Sequence, residues 1–260
     1  PGDVARINQA SIPSVLIDDE KGIGPDRPHP GKPKAAAPAR VAVVPKPSRP
    51  NPVAQPPRRG PVIEPWRRKS DRELAQALIA ESIVTMRRAC SDVRLGRAVR
   101  MPEVTGLVDE VIDMVERAPG TLLDILRLKK KDEYTYLHSV AVCTLMVNVA
   151  RHLGRTEAEV RDYGMAGLLH DIGKMGVDDS ILNKPGSLND EEMERVRHHP
   201  EFGQAMLLKT ANVPEAALDV CLHHHERIDG KGYPHRLPGH ELTEAARLGA
   251  ICDVYDALTS

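Results

Sequence analysis

Cysteine, aromatic residues and long apolar runs are all scarce in this 260-residue sequence. The four Cys (Cys90, Cys143, Cys221, Cys252) lie far apart, each inside an apolar helical pattern. That spacing excludes a CxxC zinc knuckle and a disulfide framework, so a reducing cytoplasmic setting is expected. Phe202 is the only Phe and Trp66 the only Trp, which leaves Leu, Val, Ile, Met and Ala to build a core. The longest apolar stretch, residues 140–150, contains Thr144 and Asn148 and is about half of what a membrane span needs. No membrane-spanning segment is expected. Neither sign of charge is in surplus: 36 Lys+Arg against 37 Asp+Glu gives −1, which argues against a generic binder of nucleic acid polymers. There is no charged-then-apolar leader before the first strand-like residues, and the start at Pro1 leads us to expect further sequence upstream.

What is present is unevenly spread. Residues 1–66 hold ten basic and six acidic residues, while residues 67–260 hold 26 and 31, so a +4 segment precedes a −5 one. Fifteen of 22 Pro precede Trp66, and ten of eleven His follow it. Residues 1–22 contain one strand-like run, Val15 to Ile17, ending in a polar turn, as the end of an upstream small domain would. Residues 23–66 are proline-rich: between Pro25 and Pro65, 13 of 41 residues are Pro and none is Leu, Phe or Tyr. Such a stretch has little apolar area to offset the entropy of ordering, and reads as a disordered linker.

Residues 67–260 carry helical periodicity throughout, without alternating β-branched runs, so an all-α domain is expected. Ser70-Asp-Arg-Glu73 and Thr156-Glu-Ala-Glu159 are capping boxes; the first opens a helix to about Arg94, the second a helix carrying residues 163–174. Pro102 suits the first turn of a helix reaching about Ala118. Further helices are expected over 119–129, 133–153, 190–197, 200–209, 214–227 and 242–258.

Chemistry concentrates on the histidines. His138, the pair His170-Asp171, His199, the pair His224-His225 and Asp253 are metal-type ligands placed on helix faces or near helix ends. Imidazole with carboxylate, without thiolate, suits Fe, Mn, Ni or a catalytic Zn rather than a structural zinc. Seven ligands exceed the needs of one ion but serve two if a carboxylate bridges, and paired metals form the clamp used in phosphoester hydrolysis. Each residue has a plainer reading. A lone His on an apolar face is usually a satisfied core or surface residue. The run Leu168-Leu-His-Asp-Ile-Gly-Lys174 is harder to dismiss, because an imidazole and a carboxylate in an apolar stretch need compensation for burial.

Six ordered runs then resemble one family: Tyr134-Thr-Tyr-Leu-His-Ser139, Leu168 to Met175, Ile181-Leu-Asn-Lys-Pro-Gly186, His199-Pro200 with Gly203, His224 to Pro234, and Asp253-Val-Tyr-Asp-Ala-Leu-Thr-Ser260. Residues 133–260 resemble the HD-GYP family, the bacterial branch of the HD-domain metal-dependent phosphohydrolases that hydrolyse cyclic di-GMP. Lys21-Gly22 is similar to the end of a small domain that often precedes HD-GYP domains.

The resemblance implies an HD-type helical bundle with two divalent metal ions, iron by expectation and manganese or nickel as alternatives. His138, His170, Asp171 and Asp253 would bind one ion, and Asp171 would bridge to a second held by His199, His224 and His225. Two cations acidify bound water and stabilise charge on the phosphoryl oxygens. Asp171 and Lys174 are the catalytic candidates, with Lys174 beside the scissile phosphate if it shares a helical face with Asp171. Gly232, Tyr233 and Pro234 would form a structural and interaction loop fixed by Arg227 and Asp229.

The sequence departs from the family in three places. Tyr134 stands where a subset has a Glu for a third metal. Val177-Asp178-Asp179 replaces a common Val-Pro step, and the family continues beyond Ser260, so a domain incomplete on its substrate side is expected. The implied activity is hydrolysis of cyclic di-GMP to pGpG and onward to GMP, in bacterial control of biofilm and motility. Competing readings are a catalytically weak adaptor that recruits diguanylate cyclases or pilus-related proteins, and an HD phosphohydrolase of another nucleotide.

Overall fold

A computed structural model describes residues 69–127 and 133–259. The strand-like run at Val15 to Ile17 and the proline-rich stretch both lie outside the described residues. Among the described residues the fold is all-α: α1 (Asp71–Arg94), α2 (Met101–Arg117), α3 (Thr121–Leu126), α4 (Tyr134–His152), α5 (Glu157–Leu169), a 3-10 turn (Ile172–Gly176), α6 (Asp179–Leu182), α7 (Asp190–Arg197), α8 (His199–Leu207), α9 (Glu215–His223) and α10 (Glu244–Thr259). Among the described residues no strand forms, and an isolated bridge joins Asp229 and Pro238. No described helix is long and apolar enough to cross a membrane.

Helix starts follow local chemistry. Ser70 with Glu73, Thr156 with Glu159 and Asn189 with Glu192 each form a reciprocal capping box that satisfies otherwise orphaned backbone donors. Thr243 accepts from the Ala246 amide at 3.0 Å and opens α10.

The helix pair α4/α5 is the axis of the domain, and its closeness depends on glycine. A Cβ at Gly167 would lie 2.9 Å from the Cys143 backbone, and one at Gly164 would lie 2.7 Å from Val108. On one side α1, α2 and α3 cover this pair around Met86, Val108, Val111, Leu168 and Leu169. On the other, α9 and α10 enclose a smaller core of Val142, Met146, Ala166, Val220 and Cys252. Leu168 and Leu169 are both fully buried, each contributing on the order of 2 kcal/mol.

Several helix ends differ from expectation. The helix predicted to run through Lys174 stops at Leu169, because Gly173 presses its backbone onto α8: a Cβ there would meet the His199 carbonyl at 1.9 Å. The helix predicted over 214–227 stops at His223, so His224 and His225 sit on its capping turn rather than within it. The segment predicted over 119–129 is helical only over Thr121–Leu126, after a left-handed Gly120. The short α6 was not foreseen; it follows Asp178 at the Val177-Asp178-Asp179 departure.

Candidate metal centre

Those interrupted helices carry the site. Leu169 hands the chain to His170-Asp171, α8 opens on His199, α9 ends into His224-His225, while His138 and Asp253 project from α4 and α10. All seven sequence-named ligands converge. Asp171, His199, His224 and His225 form one group, His138, His170 and Asp171 another, and His170, His224 and Asp253 a third; ligand atoms within each lie within 4.8 Å of one another. Asp253 groups with His170 and His224, and it also reaches His138 Nε2 at 3.0 Å and His170 Nε2 at 3.8 Å.

Asp171 is the centre of the arrangement. Its Oδ1 faces His199 Nε2 at 3.3 Å and His224 Nε2 at 3.6 Å, while its Oδ2 faces His170 Nε2 at 3.4 Å and His138 Nε2 at 3.7 Å. One carboxylate therefore addresses two histidine pairs, one with each oxygen.

The backbone fixes the imidazole tautomers. His170 Nδ1 donates to the Gly167 carbonyl at 2.7 Å, His199 Nδ1 to Val196 at 2.7 Å, and His224 Nδ1 to Val220 at 3.0 Å. A carbonyl can only accept, so each Nδ1 carries a proton, which leaves Nε2 as the ring atom directed into the cluster. His199 Nε2 and His224 Nε2 stand 3.3 Å apart, an arrangement of facing lone pairs that a cation resolves. His170 Nε2 and Asp171 Oδ1 are buried without a hydrogen-bond partner. Buried polar atoms left in this way are costly, and the donor set fits divalent ions.

The electrostatics agree at Asp171, His199 and His225, while His138 carries a proton that a bound ion would have to displace. Burial alone would raise the Asp171 carboxyl, but Lys174 and the surrounding imidazoles hold it well below the usual carboxylate range. Burial lowers His199, and lowers His225 further with the help of neighbouring imidazoles, keeping both rings neutral and able to ligate. At His138 burial works downward, yet hydrogen bonds to Asp253 and Asp256 outweigh it and hold the ring up at about 9. The four thiols are free and buried; burial pushes Cys143 up to about 12, which keeps it protonated.

Lys174 reaches Asp171 Oδ2 at 2.5 Å through the 3-10 turn rather than along a continuing helix. Burial opposes its charge, but Asp171 more than compensates and raises the ammonium above its ordinary pKa. Tyr134, in place of the third-metal Glu, lies parallel to the His138 ring with centroids 6.0 Å apart.

The loop after α9 packs beside the cluster. Tyr233 stacks on His225 with ring centroids 4.8 Å apart, and the Tyr233–Pro234 peptide is cis. Arg227 donates to Asp229 at 2.7 and 3.0 Å, and Asp229 also accepts from the Lys231 amide at 3.1 Å. The expected close backbone approach at Gly232 is to the loop itself, since a Cβ there would lie 2.4 Å from Glu226 and Arg227 backbone atoms.

Two residues escaped the sequence reading. Asp256, 4% exposed, accepts from His138 Nδ1 at 2.6 Å and so orients that ligand. It follows Asp253 by three residues, the helical spacing that shares a face, which was the available signal. Glu226, also 4% exposed, accepts from the amides of His235, Arg236 and Leu237 at 2.6, 2.9 and 3.1 Å and closes the loop.

With this geometry in view, comparison with known proteins is decisive for the family. The HD-domain family profile matches residues 120–260. The chain belongs to the HD-domain family. A protein of Pseudomonas aeruginosa named a cyclic di-GMP phosphodiesterase is 45% identical over 258 residues, covering 99% of this chain and 58% of the relative. The cyclic di-GMP phosphodiesterase response regulator RpfG of Xanthomonas campestris is 46% identical over 114 residues, 43% of this chain and 30% of its own. A 3′3′-cGAMP-specific phosphodiesterase of Vibrio cholerae is 31% identical over 153 residues, 58% of this chain and 29% of that relative. The chain therefore spans less than two thirds of these relatives. The solved structure of an HDG"Y"P protein from Bdellovibrio bacteriovorus superposes with a TM-score of 0.62 at 19% identity, covering 74% of this chain and 62% of that one, and shares the HD-domain fold. HD-domain phosphohydrolases bind divalent metals, and this HD domain has a His/Asp cluster that could hold such ions.

Proposed function

We propose that this HD domain is a metal-dependent phosphodiesterase that hydrolyses cyclic di-GMP. The observation that carries the reading is the Asp171 carboxylate, whose two oxygens face two separate histidine pairs at 3.3–3.7 Å. His138, His170, Asp171 and Asp253 would hold one ion and Asp171, His199, His224 and His225 the other. Two ions, rather than three, fit the presence of Tyr134. Bound there, they would supply an acidified water and neutralise charge on the phosphoryl oxygens. The ligand set, rich in imidazole and free of thiolate, favours iron, with manganese and nickel as alternatives.

The chain's own residues contribute the rest. Backbone carbonyls aim three imidazoles before any ligand arrives, which reduces the reorganisation that binding requires. Lys174 holds an ammonium at the cluster edge, placed to stabilise charge on the phosphoryl group or on the departing 3′ oxygen. Water adds to phosphorus, the P–O3′ bond breaks, the 3′ oxygen takes up a proton, and the product is linear pGpG; a second hydrolysis gives GMP. Cyclic di-GMP is the substrate suggested by the names of the Pseudomonas and Xanthomonas relatives. A cytoplasmic setting and division of the chain near residue 66 into tether and enzyme complete the proposal.

The Asp171→Ala variant tests it. Metal content by elemental analysis should fall towards zero and cyclic di-GMP turnover by at least about a thousandfold, since the residue serves both ions. Turnover retained in that variant would sink the mechanism. A second reading, hydrolysis of 3′3′-cGAMP, is favoured by the Vibrio relative; the ratio of kcat/KM for the two dinucleotides decides between them.

A further inference from the structure

The domain of residues 67–260 carries a −5 balance, yet the concavity beside its metal cluster is basic. This cavity, about 850 Å3, is bordered by Lys174, by Tyr134 at the start of α4, by Arg87 and Arg94 of α1, and by Asp179 and Lys184 across from them. Those residues bring four positive charges and one negative; Lys184 is tied to Glu192 at 2.5 Å, which leaves the guanidinium groups of α1 as the half-exposed cations of the wall. Lys174 also touches Asp171 at 2.5 Å, so one side chain of the cavity wall contacts the cluster. Arg87 and Arg94 are seven residues apart, two helical turns, and present one basic edge of α1. That helix precedes the segment matched by the HD-domain profile.

Arg94 is not idle. It forms a bidentate pair with Asp179, at 2.9 Å from one terminal nitrogen and 2.8 Å from the other, and both side chains stay about half exposed. Arg87 pairs with Glu133 at 3.2 Å. Exposed pairs of this kind contribute little to stability, on the order of 0–1 kcal/mol, and the guanidinium fork that accepts a carboxylate accepts a phosphate with the same geometry. Asp179 follows the Val177-Asp178 step directly and opens α6, which holds its carboxylate across the cavity from α1.

We propose that Arg94, assisted by Arg87, is a substrate-positioning residue that binds the phosphate of a cyclic dinucleotide not undergoing cleavage, in exchange for Asp179. The proposal rests on the phosphodiesterase reading and deepens it: a ring with two phosphates needs a second anion site once one phosphate sits at the cluster. Asp179 acts as an internal competitor for that site.

The two partners of the pair separate this role from a structural one. Arg94→Gln should raise KM for cyclic di-GMP about tenfold, the loss of one charge-assisted phosphate contact, with kcat changed by about twofold or less. Arg94→Lys should recover part of the loss. Asp179→Asn, which breaks the same ion pair, should lower KM by about two- to fivefold because the guanidinium is released. Effects of opposite sign support the proposal, whereas equal shifts of the same sign, or an unchanged KM in Arg94→Gln, overturn it while leaving the phosphodiesterase reading intact. Turnover of bis(p-nitrophenyl) phosphate by the parent, without any turnover of a cyclic dinucleotide, would overturn that reading and this inference with it.

Discussion

The metal cluster and the loop of residues 226–237 lie side by side, joined by the stacking of Tyr233 on His225, yet side chains carry more of the loop than of the cluster. The cluster is fixed by backbones packed against backbones: Gly173 against the His199 carbonyl and Gly203, with imidazoles tethered to carbonyls of the helices they end. The loop has one such backbone approach, at Gly232, but its far limb is gathered by a side chain, the Glu226 carboxylate, which takes three successive amides. A site that must hold several ligands within tenths of an ångström uses elements that cannot shift singly. A loop that only has to stay folded can depend on one carboxylate.

The sharpest way to break that contrast is Gly173→Ala. The new Cβ would sit 1.9 Å from the His199 carbonyl and 2.6 Å from the Gly203 nitrogen, both backbone atoms with no rotamer to yield. We expect destabilisation of about 4 kcal/mol or failure to fold, read by chemical denaturation, together with loss of bound metal. A variant as stable as the parent and equally metalated would show that the 3-10 turn can slide, and that backbone packing does not set the cluster.

Next in size is Asp256→Asn, which leaves the backbone scaffold untouched and weakens only the orientation of His138. An outer carboxylate of this kind is worth about 10–100-fold in metal affinity, measurable by competition with a chelator. Affinity equal to the parent's would mean that α4 alone aims the ring, extending backbone control to the one ligand histidine whose Nδ1 donates to a side chain.

These two residues also mark what the sequence could and could not reveal. The ligands were legible because charged and imidazole groups inside apolar runs need compensation, and because their runs occur in one order along the chain. The all-α class was legible from periodicity, and helix starts from their capping boxes. Helix ends at Leu169 and His223 were not, since both depend on tertiary contacts, Gly173 on α8 and Glu226 on a loop nine to eleven residues ahead. Asp256 looked like any polar residue of a helix until His138, 118 positions away, was placed against it. The basic edge of α1 was equally silent, because the charge balance of the domain as a whole is negative.

For the loop, Glu226→Gln keeps shape but replaces one accepting oxygen with a donor that faces a backbone amide. Stability should fall by about 1–3 kcal/mol, the range for a buried hydrogen bond turned unsatisfied, and amide exchange at His235, Arg236 and Leu237 should accelerate together. Exchange accelerating throughout α8 and α9 as well would erase the distinction between the two regions, whereas unchanged exchange at the three amides would remove Glu226 from its role.

The smallest effect belongs to the exposed end of the same loop. Hydrogen bonds from Arg227, then from the Lys231 amide, hold the Asp229 carboxyl at about 2 against an ordinary 3.8. A carboxyl depressed on folding contributes its stabilisation in full above its unfolded value, and loses it as pH falls towards the folded one. The contribution of this pair should therefore be constant from neutral pH down to about 4 and disappear near pH 2, with no change on the alkaline side. A carboxyl-detected NMR titration reads it directly, and Arg227→Met should return Asp229 towards 3.8 without altering the neutral rings of His199 and His225. A titration that remains depressed in that variant would transfer control of Asp229 from the arginine to the backbone, and the loop would then resemble the cluster in being held by its main chain.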